Sequence, residues 1–244
     1  MGIINSAILE NISPEMGVLN LPYVFLSTDY YAKSLQDPFI YGTLKDSIAK
    51  NGFMLTGYLN NAVRGIYSNK ELKTLEDLKG LKIRTNPSDT YIKMFACWNA
   101  VATPTDFSEV FSALQQGLID GAEGGVQALY DLNFAEAAKY GLLTEHSRLT
   151  DFIVNSNKFA QKTGKDYEIV LDEMYKVGQY SMEFIDKVAA ESIELAKEKK
   201  GAVIHTVDKT KFIDAVKPIY DDVAKDPAKK PLLEAIFKIQ GRTL

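Results

Sequence analysis

The sequence of 244 residues has few of the side chains that build metal sites and disulfides. Its single cysteine, Cys97, excludes an intrachain disulfide and a cysteine-rich zinc site. The two histidines, His146 and His205, lie too far apart for a local histidine-based metal motif. The sequence therefore predicts neither a metal site nor a cofactor. No uncharged stretch reaches the roughly 20 residues that a membrane-spanning helix needs, so an integral membrane protein is excluded.

The charge and the first residues narrow the class of protein further. The chain has 28 basic and 32 acidic residues, a net charge of −4, and 46% hydrophobic residues. These values are typical of a soluble globular protein and argue against a nucleic-acid-binding surface. The first ten residues have no basic segment and no cleavage site, so they do not form a secretory signal. We expect either a cytoplasmic protein or a mature or truncated form of an exported one.

The common catalytic and phosphate-binding motifs are absent from the sequence. It contains no Walker A motif, no Gly-x-Gly-x-x-Gly and no Gly-x-Ser-x-Gly. The glycine-rich segment Gly121-Ala-Glu-Gly124-Gly125 lacks the lysine of a phosphate-binding loop, and we interpret it as a tight turn. Cys97 lies beside Phe95 and Trp98, which favours packing over catalysis.

Strand-like and helix-like segments alternate along the chain. The predicted strands are 52–59, 63–68, 81–85, 101–103, 141–144, 152–155 and 202–206. The predicted helices are 29–35, 38–51, 89–99, 106–116, 126–130, 134–140, 209–225, 231–240 and one long helix, 165–200. This alternation predicts an α/β fold with largely parallel sheets.

Four acidic residues cluster in the sequence, and only Glu123 lacks an obvious structural role. Asp106 and Glu109 fit an N-capping box, and Asp120 precedes a glycine in a turn. Glu123 with His146 as acid and base groups therefore stays open as an enzymatic alternative.

The chain has four arginines, and two of them lie in or beside predicted strands. Arg64 and Arg84 would lie near strand ends, which face the ligand crevice in open α/β sheets. A guanidinium group matches a carboxylate in bidentate geometry. These positions predict an organic-anion site. His146 and Arg148 follow another predicted strand and are candidates for the same site.

From about Pro14 onward the chain resembles the substrate-binding proteins of TRAP (tripartite ATP-independent periplasmic) transporters. The resemblance lies in Pro14-Glu-Met-Gly-Val-Leu-Asn-Leu-Pro-Tyr23 and in Leu75-Glu-Asp-Leu-Lys-Gly-Leu-Lys-Ile-Arg84. It continues through residues 102–123, which include Asp106-Phe-Ser-Glu109 and Asp120-Gly-Ala-Glu123. The order and spacing of these segments cover nearly the whole chain.

The resemblance implies a two-lobed, periplasmic-binding-protein-like α/β fold with a long bracing helix. One lobe would comprise 1–61 with 150–189, and the other 62–149 with 190–244. The family's mature proteins carry a further N-terminal segment, so we expect a truncated first lobe.

The resemblance also implies how a carboxylate ligand is held. Arg84 falls on the arginine that pairs with the substrate carboxylate, and Arg64 on a second, assisting arginine. Phe107 falls on a cleft-lining aromatic residue, and Asn5 on a cleft residue of the first lobe.

One position departs from the family pattern. An asparagine that contacts the ligand commonly follows the Asp-Gly-x-Glu motif, and here that residue is Gly124. The missing contact would come from the backbone, from water or from a neighbour such as Gln127. The segment Glu-His-Ser-Arg at residues 145–148 resembles a segment found in relatives that bind sugar acids.

We therefore expect an extracytoplasmic, non-enzymatic protein that captures a small organic acid, either a sugar acid or a dicarboxylate. Its partners would be the membrane subunits of a TRAP permease, and no nucleic acid. The alternatives are the Glu123/His146 enzyme and a truncated fragment that binds nothing.

Overall fold

A computed structural model of the chain describes residues 1–156 and 158–244. Among them, seven strands form one mixed sheet in the order β1-β6-β2-β5-β3-β4, with β7 also paired to β6. The strands are β1 (Gly2–Asn5), β2 (Phe53–Ser68), β3 (Lys82–Thr85), β4 (Val101–Pro104), β5 (Gly121–Gly124), β6 (Tyr140–Ser156) and β7 (Val203–Thr206).

The two longest strands, β2 and β6, run antiparallel through the middle of the sheet. Each joins two segments that the sequence predicts as separate short strands. In β2 the interruption is a register shift between Asn60 and Val63, where Ala62 has a φ of 56°. In β6 the mainly polar residues 145–151 were not predicted as strand, but Ser147, Arg148, Thr150 and Asp151 pair with β2, and most of the stretch is buried. Because these residues are mainly polar, the sequence pattern did not predict them as part of a strand.

The prediction of largely parallel sheets is wrong for the centre of the molecule. β6 pairs antiparallel with β1 and β2, and β2 also pairs antiparallel with β5. The parallel pairs are β3 with β4, β3 with β5, and β6 with β7. The strands of each parallel pair are connected through helices, whereas the long strands β2 and β6 run antiparallel across the molecule.

The helices mostly follow the predicted ones. They are α1 (Ser6–Leu9), α2 (Thr28–Gln36), α3 (Pro38–Ala49), α4 (Asp89–Cys97), α5 (Val110–Gln115), α6 (Ala128–Asp131), α7 (Phe159–Thr163), α8 (Tyr167–Lys200), α9 (Thr210–Ala215), α10 (Lys217–Val223) and α11 (Lys230–Ile239). The predicted helix 134–140 is wrong, because only a 3₁₀ turn, Phe134–Glu136, forms before β6 begins at Tyr140.

The predicted long helix is α8, whose 34 residues span about 50 Å at 1.5 Å per residue. It crosses β2 where Gly178 contacts the strand. A Cβ atom at Gly178 would lie 2.7 Å from the carbonyl oxygen of Tyr58, so a larger side chain would push the helix away. Ser181 accepts a hydrogen bond from the Asn60 backbone N–H at 3.0 Å. In the described residues, no helix combines the length and hydropathy needed to cross a membrane.

Buried apolar side chains form two clusters. The larger joins the N-terminal segment to α4 and to the C-terminal helices. The smaller contains Tyr67, α5, α6 and the C-terminal end of α8. Gln240 holds the C-terminal segment against the backbone of Val24 and Leu26 by hydrogen bonds of 2.8 Å. The predicted residue bounds of the lobes stay a prediction.

Candidate functional site

A cleft of about 410 Å³ opens along the strands β2, β3 and β5. This volume is within the range of small-molecule sites, about 300–1,000 Å³. Its walls combine polar side chains, two guanidinium groups and one exposed aromatic ring. The lining residues are Asn5, Asn61, Arg64, Tyr67, Arg84, Asn86, Phe107, Gly124, Gly125, Gln127, Ala128, Asp131, Leu132 and Leu149.

Arg84 is a buried cation without an anionic partner in the described part of the chain. It lies in β3 and is 1% exposed. Its Nε donates to the carbonyl oxygen of Thr105 at 2.8 Å, and its Nη2 lies 3.4 Å from Oδ1 of Asn86. Burial lowers the pKa of Arg84, Glu123 opposes that shift and Arg64 adds to it. An arginine stays protonated in proteins, so a full positive charge is held in the cleft wall.

Arg64, in contrast, is paired with a carboxylate. Its Nε lies 2.6 Å from Oε2 of Glu123 and its Nη2 lies 2.9 Å from Oε1. Burial alone would raise the pKa of Glu123, but Arg64 and then His146 lower it below its usual range. Glu123 is therefore ionised, and the pair has no net charge. The resemblance predicted Arg64 as a second ligand-binding arginine; the structure places it in the cleft lining with its charge neutralised.

His146 and Glu123 are buried beneath the cleft wall, and neither is among the residues that line it. Nε2 of His146 lies 3.7 Å from Oε2 of Glu123, and Nδ1 lies 2.8 Å from Oγ1 of Thr144. Burial and then Arg64 lower the pKa of His146 against the opposing effect of Glu123, so the imidazole is neutral.

The other predicted cleft residues line the cavity around Arg84. The Phe107 ring is half exposed, with its centroid 5.7 Å from the guanidinium carbon of Arg84. Asn5 caps α1 by accepting a hydrogen bond from the Ile8 backbone N–H at 3.0 Å. Gly124 and Gln127 lie on the wall formed by β5 and the segment after it. The structure thus brings together Arg84, Arg64, Phe107, Asn5, Gly124 and Gln127.

Arg148 is not among the residues that line this cleft. Its Nη1 lies 3.0 Å from Oδ2 of Asp186 in α8, and its Nη2 donates to Thr28 at 2.6 Å. Its guanidinium also lies over the ring of Tyr31, 5.7 Å from the centroid. Arg148 therefore ties β6 to α2 and α8.

Sequence reasoning missed eight of the lining residues, among them Tyr67 and Asn86. Asn86 follows Arg84 by two positions, a spacing that puts two residues on one face of a strand, and so it could have been found. Tyr67 follows Arg64 by three positions, which by strict alternation points to the opposite face. Both residues nevertheless line the cleft.

Within residues 1–156 and 158–244, no group of three or more histidine, cysteine or acidic side chains is placed to hold a metal ion.

Comparisons with known proteins show the family to which the chain belongs. The model of the family "Bacterial extracellular solute-binding protein, family 7" matches residues 1–226. The 2,3-diketo-L-gulonate-binding periplasmic protein of Escherichia coli K12 is 30% identical over 233 residues, which are 94% of this chain and 71% of that protein.

Solved structures agree in fold. A TRAP periplasmic solute-binding protein from Anaerococcus prevotii with bound D-glucuronate has a TM-score of 0.91 and 30% identity, covering 98% of this chain and 78% of that one. Another, from Xanthobacter autotrophicus with bound β-D-galacturonate, has a TM-score of 0.88 and 31% identity, covering 99% and 80%. The predicted two-lobed α/β fold with a long helix is confirmed. The chain belongs to the bacterial extracellular solute-binding proteins of family 7, the solute-binding proteins of TRAP transporters.

Proposed function

We propose that this protein captures a sugar acid with a single carboxylate outside the cytoplasm and delivers it to the membrane subunits of a TRAP permease. The observation that carries the proposal is Arg84, a guanidinium group that is 1% exposed and has no carboxylate partner in the described residues. A buried charge is costly unless an opposite charge pairs with it. The carboxylate of a ligand supplies that charge.

The charges along the cleft support one carboxylate per ligand. Glu123 neutralises Arg64, which leaves Arg84 as the positive charge among the described lining residues that lacks a partner. The acidic residue in the lining, Asp131, is exposed at the cleft surface. A second carboxylate on the ligand would find no unpaired cation among the described lining residues. We therefore favour sugar monoacids over C4-dicarboxylates.

The rest of the lining suits the sugar part of such a ligand. Asn5, Asn61, Asn86 and Gln127 provide amide groups that can donate to and accept from hydroxyl groups. Phe107 provides an exposed ring face for the carbon skeleton. The relatives that bind D-glucuronate and β-D-galacturonate bind acids of this kind.

Ligand binding would act by stabilising a closed arrangement of the two lobes. The lobes would comprise 1–61 with 150–189, and 62–149 with 190–244, and β2, β6 and α8 would pass between them. A ligand that contacts both lobes shifts the population toward the closed state by its extra affinity for that state.

The geometry of Glu123 and His146 does not favour the enzymatic alternative. Both side chains are fully buried beneath the cleft wall, and the Glu123 carboxylate is paired with Arg64 at 2.6 Å. A general base must reach the proton that it removes. We therefore propose binding without chemical change of the ligand.

Calorimetric titration of the purified chain tests the proposal, with D-glucuronate, D-galacturonate, L-fuconate and succinate as ligands. We expect at least one sugar acid to bind more tightly than succinate and to be recovered unchanged. Arg84→Ala should weaken sugar-acid binding by about 2–5 kcal/mol, because the ligand carboxylate loses its buried partner. Arg84→Lys should also weaken it, since lysine lacks the planar pair of donors.

Arg242→Ala is the matched control, because Arg242 lies outside the cleft against the ring of Phe237. It should leave the affinity unchanged. A loss below tenfold in Arg84→Ala would show that Arg84 is not the anchor. Binding of succinate as tight as that of every sugar acid would contradict the preference for one carboxylate.

A further inference from the structure

The hydroxyl group of Tyr67 is a buried polar group that the proposed function does not yet use. Tyr67 lies in β2, is 0% exposed and lines the cleft. Its hydroxyl oxygen has no hydrogen-bond partner among the described residues. Most buried polar side-chain atoms in folded proteins have a partner, so this hydroxyl needs a specific explanation.

The position of the ring is fixed on two sides. The ring centroid of Phe134 lies 5.6 Å away. On the other side, a Cβ atom at Gly124 would lie 3.1 Å from Cε1 and 3.3 Å from the hydroxyl oxygen of Tyr67. A larger residue at position 124 would therefore crowd the phenol end of the ring. Gly124 leaves the space that the tyrosine hydroxyl occupies.

The hydroxyl lies near the Arg64–Glu123 pair. The same hypothetical Cβ atom of Gly124 lies 3.7 Å from Nη2 of Arg64, which puts that nitrogen near the hydroxyl. Burial raises the pKa of Tyr67 and Glu123 adds to that rise, whereas Arg84 and Arg64 oppose it. The hydroxyl thus keeps its proton and can donate it in a hydrogen bond.

We propose that the Tyr67 hydroxyl donates a hydrogen bond to the carboxylate of the ligand that Arg84 binds. This inference rests on the proposed function and adds a second donor to its acid-binding subsite. A bidentate guanidinium occupies one lone pair on each carboxylate oxygen, and each oxygen can accept one further hydrogen bond. Tyr67, in the space left by Gly124, satisfies one of them.

The proposal is specific about which part of the ligand is recognised. The carboxylate is common to all sugar acids, whereas their hydroxyl groups differ in position and configuration. A donor to the carboxylate changes the affinity for every acid by a similar factor. A donor to a sugar hydroxyl group changes the affinity for some acids only.

The test is Tyr67→Phe, which removes the hydroxyl and keeps the ring. Affinities for D-glucuronate, D-galacturonate and L-fuconate are measured by calorimetry, and thermal unfolding is measured without ligand. We expect every acid that the wild-type chain binds to bind roughly 10- to 100-fold more weakly, the effect of losing a hydrogen bond to a charged group. Without ligand, the unfolding midpoint should stay the same or rise, because the lost hydroxyl was unpaired.

Tyr220→Phe is the matched control. The Tyr220 hydroxyl donates to the carbonyl oxygen of Pro22 at 2.6 Å, and Tyr220 is not among the cleft-lining residues. Its removal should lower the unfolding midpoint and leave ligand affinity unchanged.

The other possible outcomes would contradict the proposal. Unchanged affinity in Tyr67→Phe, with wild-type binding intact, would overturn it and leave the function standing. A loss confined to some of the acids would overturn the assignment to the carboxylate. A lower unfolding midpoint without ligand would show that the hydroxyl is structural. Failure of the wild-type chain to bind any acid would overturn the proposed function, and this inference with it.

Discussion

Two arginines line the same cleft, and they differ in what lies opposite each of them. Arg64 meets the Glu123 carboxylate at 2.6 Å, whereas Arg84 meets only a backbone carbonyl and the amide of Asn86 in the described residues. Both guanidinium groups are at least nine-tenths buried. The structure therefore contains one buried ion pair and, beside it, one buried charge that is ready for a partner.

Arg148 belongs with Arg64 in this comparison. It is paired with Asp186, which also accepts hydrogen bonds from Thr28 and Asn60. The two paired arginines hold elements together, whereas Arg84, without a carboxylate partner in the described residues, lines the cleft. Arg64 and Arg84 thus differ in their partners, not in their burial.

The largest expected effect comes from breaking the Arg64 pair. Glu123→Gln leaves the Arg64 charge buried without its counterion, and we expect the free energy of unfolding to fall by about 3–5 kcal/mol. Chemical denaturation measures this value. Arg84→Met is the matched variant, because it leaves no carboxylate behind; its free energy of unfolding should stay the same or rise. Equal destabilisation by both variants would contradict the distinction between the two arginines.

A smaller effect should follow at the contact between β6 and α8. Arg148→Met keeps an apolar side chain but removes the donors to Asp186 and Thr28. We expect a loss of about 2 kcal/mol, the value of hydrogen bonds to a charged group. Lys176→Met, which breaks an exposed ion pair on α8, is the control and should cause no measurable change. An unaffected Arg148→Met variant would show that this network does not stabilise the fold.

The smallest expected effect is the pH dependence of stability that arises from the buried side chains of His146 and Glu123. The folded pKa of His146 is depressed below its ordinary value of 6.5, so its contribution to stability is present above pH 6.5 and lost as the pH falls. Glu123, also depressed, adds a further loss below its ordinary pKa of 4.5. Each group contributes at most about 1.4 kcal/mol per pH unit.

Denaturation at several pH values checks this expectation, with His146→Gln as the comparison variant. The variant should show a flatter profile just below pH 6.5. An identical slope in the wild type and the variant would contradict the neutral state of His146 in the fold.

Much of the fold was readable from local patterns. The helical spacing without proline predicted α8, and the alternation in residues 81–85 predicted β3, because amphipathic periods reflect burial directly. The same patterns missed 145–151, a mainly polar stretch that is strand. Most of its polar side chains are at least partly buried and have partners on other elements, and a local pattern does not contain those partners.

For the candidate site, too, some features were predicted from the sequence and others were visible only in the structure. The sequence by itself determined that Arg84 lies on a short strand, that Phe107 lies at the start of a helical segment, and that the chain belongs to a family of solute-binding proteins. Only the tertiary structure decided that Arg64 is neutralised by Glu123, that Arg148 meets Asp186, and that Tyr67 lines the cleft. Strands and helices can be predicted because hydrophobic residues recur with periods of two and 3.6 residues. The balance of charge in a cleft depends instead on side chains that are distant in sequence. Arg64 and Glu123, for example, are separated by 59 positions.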